Sequence, residues 1–242
     1  MTVDPIVAKP AATVMLLRDG ANGIEVFMLR RTKSAAFAGG MYVFPGGKVD
    51  DSDGQGDAGY VIAAIRECFE EAGVLLATND DGDMVADGHP ALANRYAVHD
   101  GKVDLLTLCA EHRLRPAIDH LAWVSHWITP IEESPRRFDT RFFVAIAPLG
   151  QTSRHDDTET IASTWIRPTD ALQRGADGQL GLMPPTIKSL EYLAAHHDAA
   201  EVMTAARRLG KPEPILPRLR RNEDGRITGV SLPSDDDYAD LG

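Results

Sequence analysis

The segment RECFEEAG, residues 66–73, sets Glu67, Glu70 and Glu71 three and four positions apart, directly after Arg66 and ahead of Gly73. Side chains at those spacings share one face of an α-helix, so this short stretch predicts a cluster of carboxylates on one side of a helix. Like charges placed that way cost about 0.2–0.5 kcal/mol a pair on an exposed helix. That penalty is small, and a solvated acidic face is an ordinary way to meet it. The neighbouring residues have to decide between a solvated face and chemistry. Val61, Ile65, Phe69 and Ala72 recur at intervals of three or four, which predicts a helix from about Tyr60 to Ala72 packed on a core by its other side. Gly73 is a natural stop, because glycine takes the left-handed conformation after a helix at little cost.

The rest of the chain supplies a frame for that helix. Residues 11–19 (AATVMLLRD) and 24–30 (IEVFMLR) are β-prone runs joined by GANG, the pattern of a hairpin. MYVF at 41–44 is a short strand before the turn PGG, and strand character returns at 121–130, 141–148 and 163–168. Helices are expected at about 185–196 and 199–209, with TDAL opening a shorter one; Asp198 and Glu201 have capping-box spacing. Strands and helices are interspersed without regular βαβ alternation. The expected fold is therefore α/β of the α+β kind, a mixed sheet between helices. Residues 1–210 read as one domain carrying a helical insertion over about 77–118. Residues 211–242 read as a C-terminal extension whose SDDDYAD end is solvated and mobile.

Composition removes several classes of function. A formal net charge of −11 argues against nucleic-acid binding through a basic surface. Two cysteines, Cys68 and Cys109, provide no disulfide framework and no four-cysteine zinc site. His89, His99, His112 and His120 show no H-x-x-x-H spacing among themselves. The start MTVDPIVAKP lacks a secretory h-region, and no run reaches the roughly 18 apolar residues of a membrane span. The expectation is a cytoplasmic protein with a small-molecule partner, no nucleic acid and no membrane; a homodimer stays open.

Upstream of the glutamates come FPGG at 44–47 and the acidic loop KVDDSDGQGDAG at 48–59. Taken in order, FPGGKVD and then Arg66, Glu67, Cys68, Phe69, Glu70, Glu71, Ala72, Gly73 and Val74 resemble the Nudix box, G-x5-E-x7-R-E-U-x-E-E-x-G-U with U aliphatic. Cys68 occupies the aliphatic position. The first half departs from the pattern. Counted from Gly47 the acid falls at Asp53, but the arginine comes at 66 instead of 61, so the loop is five residues longer. Asp50, Asp51, Asp53 and Asp57 are all candidates for the displaced acid.

The resemblance implies a Nudix fold and water attack on a nucleoside diphosphate linked to another moiety. It implies Mg²⁺ or Mn²⁺ held by Glu67, Glu70 and Glu71, with Glu67, Glu70 and Arg66 as the catalytic group. Arg66 in this scheme braces the loop and the glutamates, and the general base stays open among Glu67, Glu132 and Glu159. A hard cation suits such a cluster, which is repulsive when empty. Residues 27–47 resemble the region before the box in coenzyme A diphosphatases, with Ala36 where an arginine is expected. FPGGKVDDSD, AAIRECFEEAGVLLA, WITPIEESPRRFDTRFFVAIAP, Asp156, Glu159 and Trp165 resemble the peroxisomal branch of that group. CoA or acyl-CoA is the substrate so implied. ADP-ribose is the alternative, on Pro90 lying 16 residues past Val74, and a non-catalytic Nudix binding module is the alternative of another class. Substrate contacts are expected from Arg30, Arg31, Phe44, Gly46, Gly47, Arg136 and Arg137, the guanidinium being suited to phosphate. Trp123, Trp127 and Phe142 are candidates to stack on adenine.

Overall fold

The computed structural model describes residues 7–32, 38–131, 137–156 and 160–241. The chain opens with a hairpin of β1 (Lys9–Gly20) and β2 (Gly23–Arg31), followed by the short β3 (Tyr42–Val43) and β4 (Gly46–Lys48). Helix α1 (Gly56–Glu67) comes next, and after it β5 (Ala77–Thr78), α2 (Arg95–His99), α3 (Leu105–Glu111) and β6 (Arg115–Pro116). Then come β7 (Ala122–Ile128), β8 (Phe138–Ile146), β9 (Thr160–Ile166), α4 (Pro168–Ala176), α5 (Pro184–Ala194) and α6 (Ala199–Arg208). The end of the chain holds β10 (Pro214–Ile215), β11 (Arg218–Arg221) and β12 (Ile227–Ser231).

Eight of these strands form one mixed sheet in the order β10-β7-β8-β1-β2-β3, with β4 also on β1 and β9 on β2. β8 runs parallel to β1 and β7 antiparallel to β8. Alternation along each strand divides the core in two, as a period of two requires. From β1, Ala12, Val14 and Leu16 enter one cluster while Met15 and Leu17 enter the other. The first cluster is covered by α1 and residues 77–118, the second by α4, α5 and α6. The mixed sheet between helices is the architecture expected from the interspersed pattern. Among the described residues no helix is long and apolar enough to cross a membrane.

Three details go beyond the expectation. Helix α1 begins at Gly56, a turn earlier than Tyr60, inside what reads as an acidic glycine-rich loop. It then widens into a π-helical turn over Cys68–Ala72, ended by Gly73 at φ 72°. Second, residues 77–118 leave and return through the pairing of β5 with β6, and Val85, Ala91, Val98, Leu105, Leu108 and Leu114 complete the first cluster. Third, SDDDYAD, expected to be a solvated end, is held. Arg220 pairs with Asp237 at 2.6 Å and Asp235 at 3.1 Å, and the Tyr238 hydroxyl donates to the Leu216 carbonyl at 2.8 Å. β10 adds itself parallel to the edge of β7.

Candidate active site

The first core delivers a buried arginine to the carboxylates. Arg66 Nε and Nη2 each lie 2.9 Å from one oxygen of Asp53, which is itself buried. Nη2 also donates to the Lys48 carbonyl at 2.7 Å, and Nη1 to Glu67 at 2.9 Å and Glu70 at 3.1 Å. Burial opposes the charge, but the Asp53 hydrogen bonds and the charges of Glu67, Asp53 and Glu70 outweigh it and lift the Arg66 pKa above the usual arginine value. Of the four acids in the long loop, Asp53 is the one in this bidentate pair. It sits on a 3₁₀ turn, Asp51–Asp53, and accepts the Asp50 N–H at 2.8 Å. Asp50 is 3.6 Å from Nη2, Asp51 is exposed, and Asp57 pairs with Arg141 instead.

The glutamates are not a solvated face: their side chains are 13%, 11% and 6% exposed for Glu67, Glu70 and Glu71. The turn PGG explains how they fit. A Cβ on Gly47 would overlap the Glu67 carboxylate, and Gly46, pressed against Ala12 and Thr13, donates its N–H to Glu71 at 3.0 Å. Both glycines therefore act on the acids, through space and through a backbone donor. Burial raises the Glu67 pKa to about 7; Arg66 offsets part of this, and the nearby charges of Glu70 and Asp50 add to it. Among the described residues no three His, Cys, Asp or Glu side chains converge as a ready metal cage. The donor set is nonetheless all carboxylate oxygen. That suits Mg²⁺, which needs one or two such ligands and completes its shell with water and substrate oxygens.

A family model described as the NUDT19 Nudix domain matches residues 55–193, more than half of the chain. The chain belongs to the Nudix hydrolases. A general NUDIX domain model matches residues 8–100. Acyl-coenzyme A diphosphatase NUDT19 of Xenopus laevis is 25% identical over 279 residues, covering 91% of this chain and 73% of that protein. The human protein of the same name is 31% identical over 194 residues, covering 75% of this chain and 51% of its own length. The chain thus spans about half of that human relative. A crystal structure of a NUDIX hydrolase from Alicyclobacillus acidocaldarius superposes with a TM-score of 0.73 at 29% identity, over 82% of this chain and 96% of that one.

Around this Nudix helix the expected substrate residues separate. Arg31 reaches the site, its Nη1 3.8 Å from Glu71. Neighbours along a strand point to opposite faces, and Arg30 lies 5.9 Å from the ring of Tyr42, which packs on the second core. The two arginines therefore do not meet one ligand group together. Phe44, expected as a substrate contact, and Trp127 and Phe142, candidates to stack on adenine, are buried in the second core, away from the glutamates. Arg137, directly ahead of β8, is buried and donates to the Thr129 carbonyl at 3.1 Å. Arg136, Glu132 and Glu159 lie outside the described residues. One group was missed, and another was weighed only as a member of a histidine set. From α2, Arg95 donates to the Glu70 carbonyl at 2.8 Å and His99 Nδ1 stands 3.8 Å from the Glu70 carboxylate. Nothing in the order of residues connects position 95 to position 70.

Proposed function

We propose that this Nudix hydrolase is a divalent-cation-dependent diphosphatase acting on CoA or acyl-CoA, giving 3′,5′-ADP and a phosphopantetheine product. The observation that carries the reading is the site itself: three little-exposed glutamates beside the glycine turn, Glu67 and Glu70 fixed by an arginine whose five donors are all engaged and Glu71 by the Gly46 N–H. The names of the relatives and the resemblance around FPGG support the CoA choice. Mg²⁺ or Mn²⁺, when bound, would polarise a phosphoryl oxygen and make water a better nucleophile. Glu67, Glu70 and Glu71 are the residues proposed to hold it. Arg66 has no donor left for substrate, so it is a positioning residue. Arg31 stands beside Glu71, where its charge offsets that of a phosphate. As the water oxygen bonds to phosphorus and the bridging P–O bond breaks, the water's proton passes to a carboxylate. Glu67, with its pKa raised towards neutrality, suits that exchange.

The test is a panel of CoA, acetyl-CoA, ADP-ribose, NADH and dinucleoside polyphosphates with Mg²⁺ or Mn²⁺. CoA-type substrates are expected to be cut, and Glu70→Gln and Glu71→Gln to lower kcat/KM by about 100-fold or more. Survival of every diphosphate would favour the binding-module alternative. Cleavage of ADP-ribose far faster than CoA would overturn the substrate and leave the chemistry standing.

A further inference from the structure

On β8, Arg141 is sandwiched between two rings, its guanidinium carbon 3.7 Å from the Tyr60 centroid and 4.4 Å from that of Trp123. The side chain is 11% exposed, yet it points to a partner at the surface: Nη1 meets Asp57, itself 65% exposed, at 2.6 Å. Its Nε is buried and donates to nothing among the described residues. Lys211, 70% exposed, lies 3.9 Å from the other Asp57 oxygen and 5.9 Å from the Trp123 ring. The other titratable groups facing this place among the described residues are His126, opposite Arg141 on β7, and Asp139, which hydrogen-bond to each other at 2.5 Å. Rings strip water from a guanidinium without offering an oxygen acceptor, so one exposed carboxylate is left to satisfy a planar fork suited to phosphate.

The sheet register ties this cluster to the glutamates. Arg141 is the partner of Ala12 across β8–β1, and Ala12 is the partner of Gly47 across β1–β4. Register partners point to the same face, so Arg141 and Gly47 are on the box-helix side, two strand spacings or about 10 Å apart along the sheet. Helix α1 spans the same gap. Tyr60 lies on Arg141 and Glu67 on Gly47, seven residues or about 10 Å apart along the axis. A ribose together with an arginine side chain bridges such a distance.

We propose that Arg141 and Lys211 form a second anion subsite, which takes a phosphomonoester on the ribose of the substrate, the 3′-phosphate of CoA, in place of Asp57. This rests on the CoA reading and deepens it. A phosphomonoester carries about −1.5 to −2 near pH 7, against the single charge of the carboxylate it displaces, and matches the two cations once Asp57 swings into solvent. His126 and Asp139 hydrogen-bond to each other beside it.

The test compares the affinities of adenosine 3′,5′-bisphosphate and adenosine 5′-monophosphate by calorimetry, and kcat/KM for CoA and 3′-dephospho-CoA. Wild type is expected to favour the 3′-phosphorylated member of each pair on the order of tenfold or more, the scale of a charge-assisted hydrogen bond. Arg141→Gln and Lys211→Ala shrink that ratio, and Asp57→Asn widens it by removing the competitor. Lys211 and Asp57 are surface residues, so their variants report even where Arg141→Gln fails to fold. Equal affinity for the two nucleotides in wild type, or a preference that Lys211→Ala and Asp57→Asn leave unmoved, overturns the subsite. Should neither CoA nor dephospho-CoA be cut, the proposed activity falls, while the two nucleotide affinities still decide the subsite.

Discussion

A guanidinium has five N–H donors, and at Arg66 they go to Asp53 twice, to Lys48, to Glu67 and to Glu70. Lysine offers three donors and no planar fork. Asp53→Asn leaves the buried Arg66 charge without its matched partner and is expected to cost about 3–5 kcal/mol in urea unfolding, whereas Arg66→Lys keeps the charge, loses the fork and is expected to cost less. A fall of less than about 1 kcal/mol would show the pair to be dispensable. Glu67 carries a pH signature of its own. Its folded pKa is about 7 against an ordinary 4.5. Between those values the folded chain holds more proton than the unfolded one, so stability falls as pH rises through the window. Melting curves from pH 4.5 to 8 are expected to show this fall, and Glu67→Gln to flatten it. Added Mg²⁺ is expected to raise Tm more at pH 8 than at pH 5, since a cation favours the ionised carboxylate. At this scale the sequence was informative about type and less so about partner. The spacing Arg66, Glu67, Glu70, Glu71 is local and legible, whereas choosing Asp53 from four loop acids took the folded loop, and separating Arg30 from Arg31 took the sheet.

The helix that bears the glutamates and its surroundings repeat the lesson one level up. Periodicity located the helix because its apolar stripe meets the sheet, but it hid the first turn at Gly56 among loop-like residues and the π-turn at its end. A π-turn has no sequence signature comparable to the helical period, and such turns are frequent at functional sites. Here it is braced from outside. Arg95 on α2 bonds the Glu70 carbonyl inside the turn, and its guanidinium also lies against Gly73, where an added Cβ would sit 3.0 Å from Nη1. Arg95→Ala is therefore expected to lower turnover of the diphosphate substrate by about tenfold or more while far-UV circular dichroism stays native. Unchanged kcat in a folded variant would show the brace to be idle. The segment 77–118, legible as an inserted pair of helices, thus bears on the site through a contact that only three-dimensional packing reveals.

At the scale of the whole molecule, interspersed strands and helices pointed to a mixed sheet with two covered faces, and the two core clusters answer to that. Charge and proline in the C-terminal extension suggest solvation, and Arg220, Asp235 and Asp237 are well exposed, but the ion pairs among them join residues 15 and 17 apart and are not legible from the order of residues. Removing residues after Gly210 would uncover the β7 edge where β10 now pairs, and strip Ile215 and Leu232 from the second core. Exposed strand edges invite association. The truncated chain is expected to melt several degrees lower and to aggregate in light scattering, and an unchanged Tm would show the extension to be an appendage. The long loop has a consequence for finding relatives. Asp53 meets Arg66 by folding back on a 3₁₀ turn, so the number of residues between glycine and arginine is free to drift so long as an acid returns to that guanidinium. A search template with a rigid count passes over chains built this way, and one that scores the helix and lets the span float retrieves them.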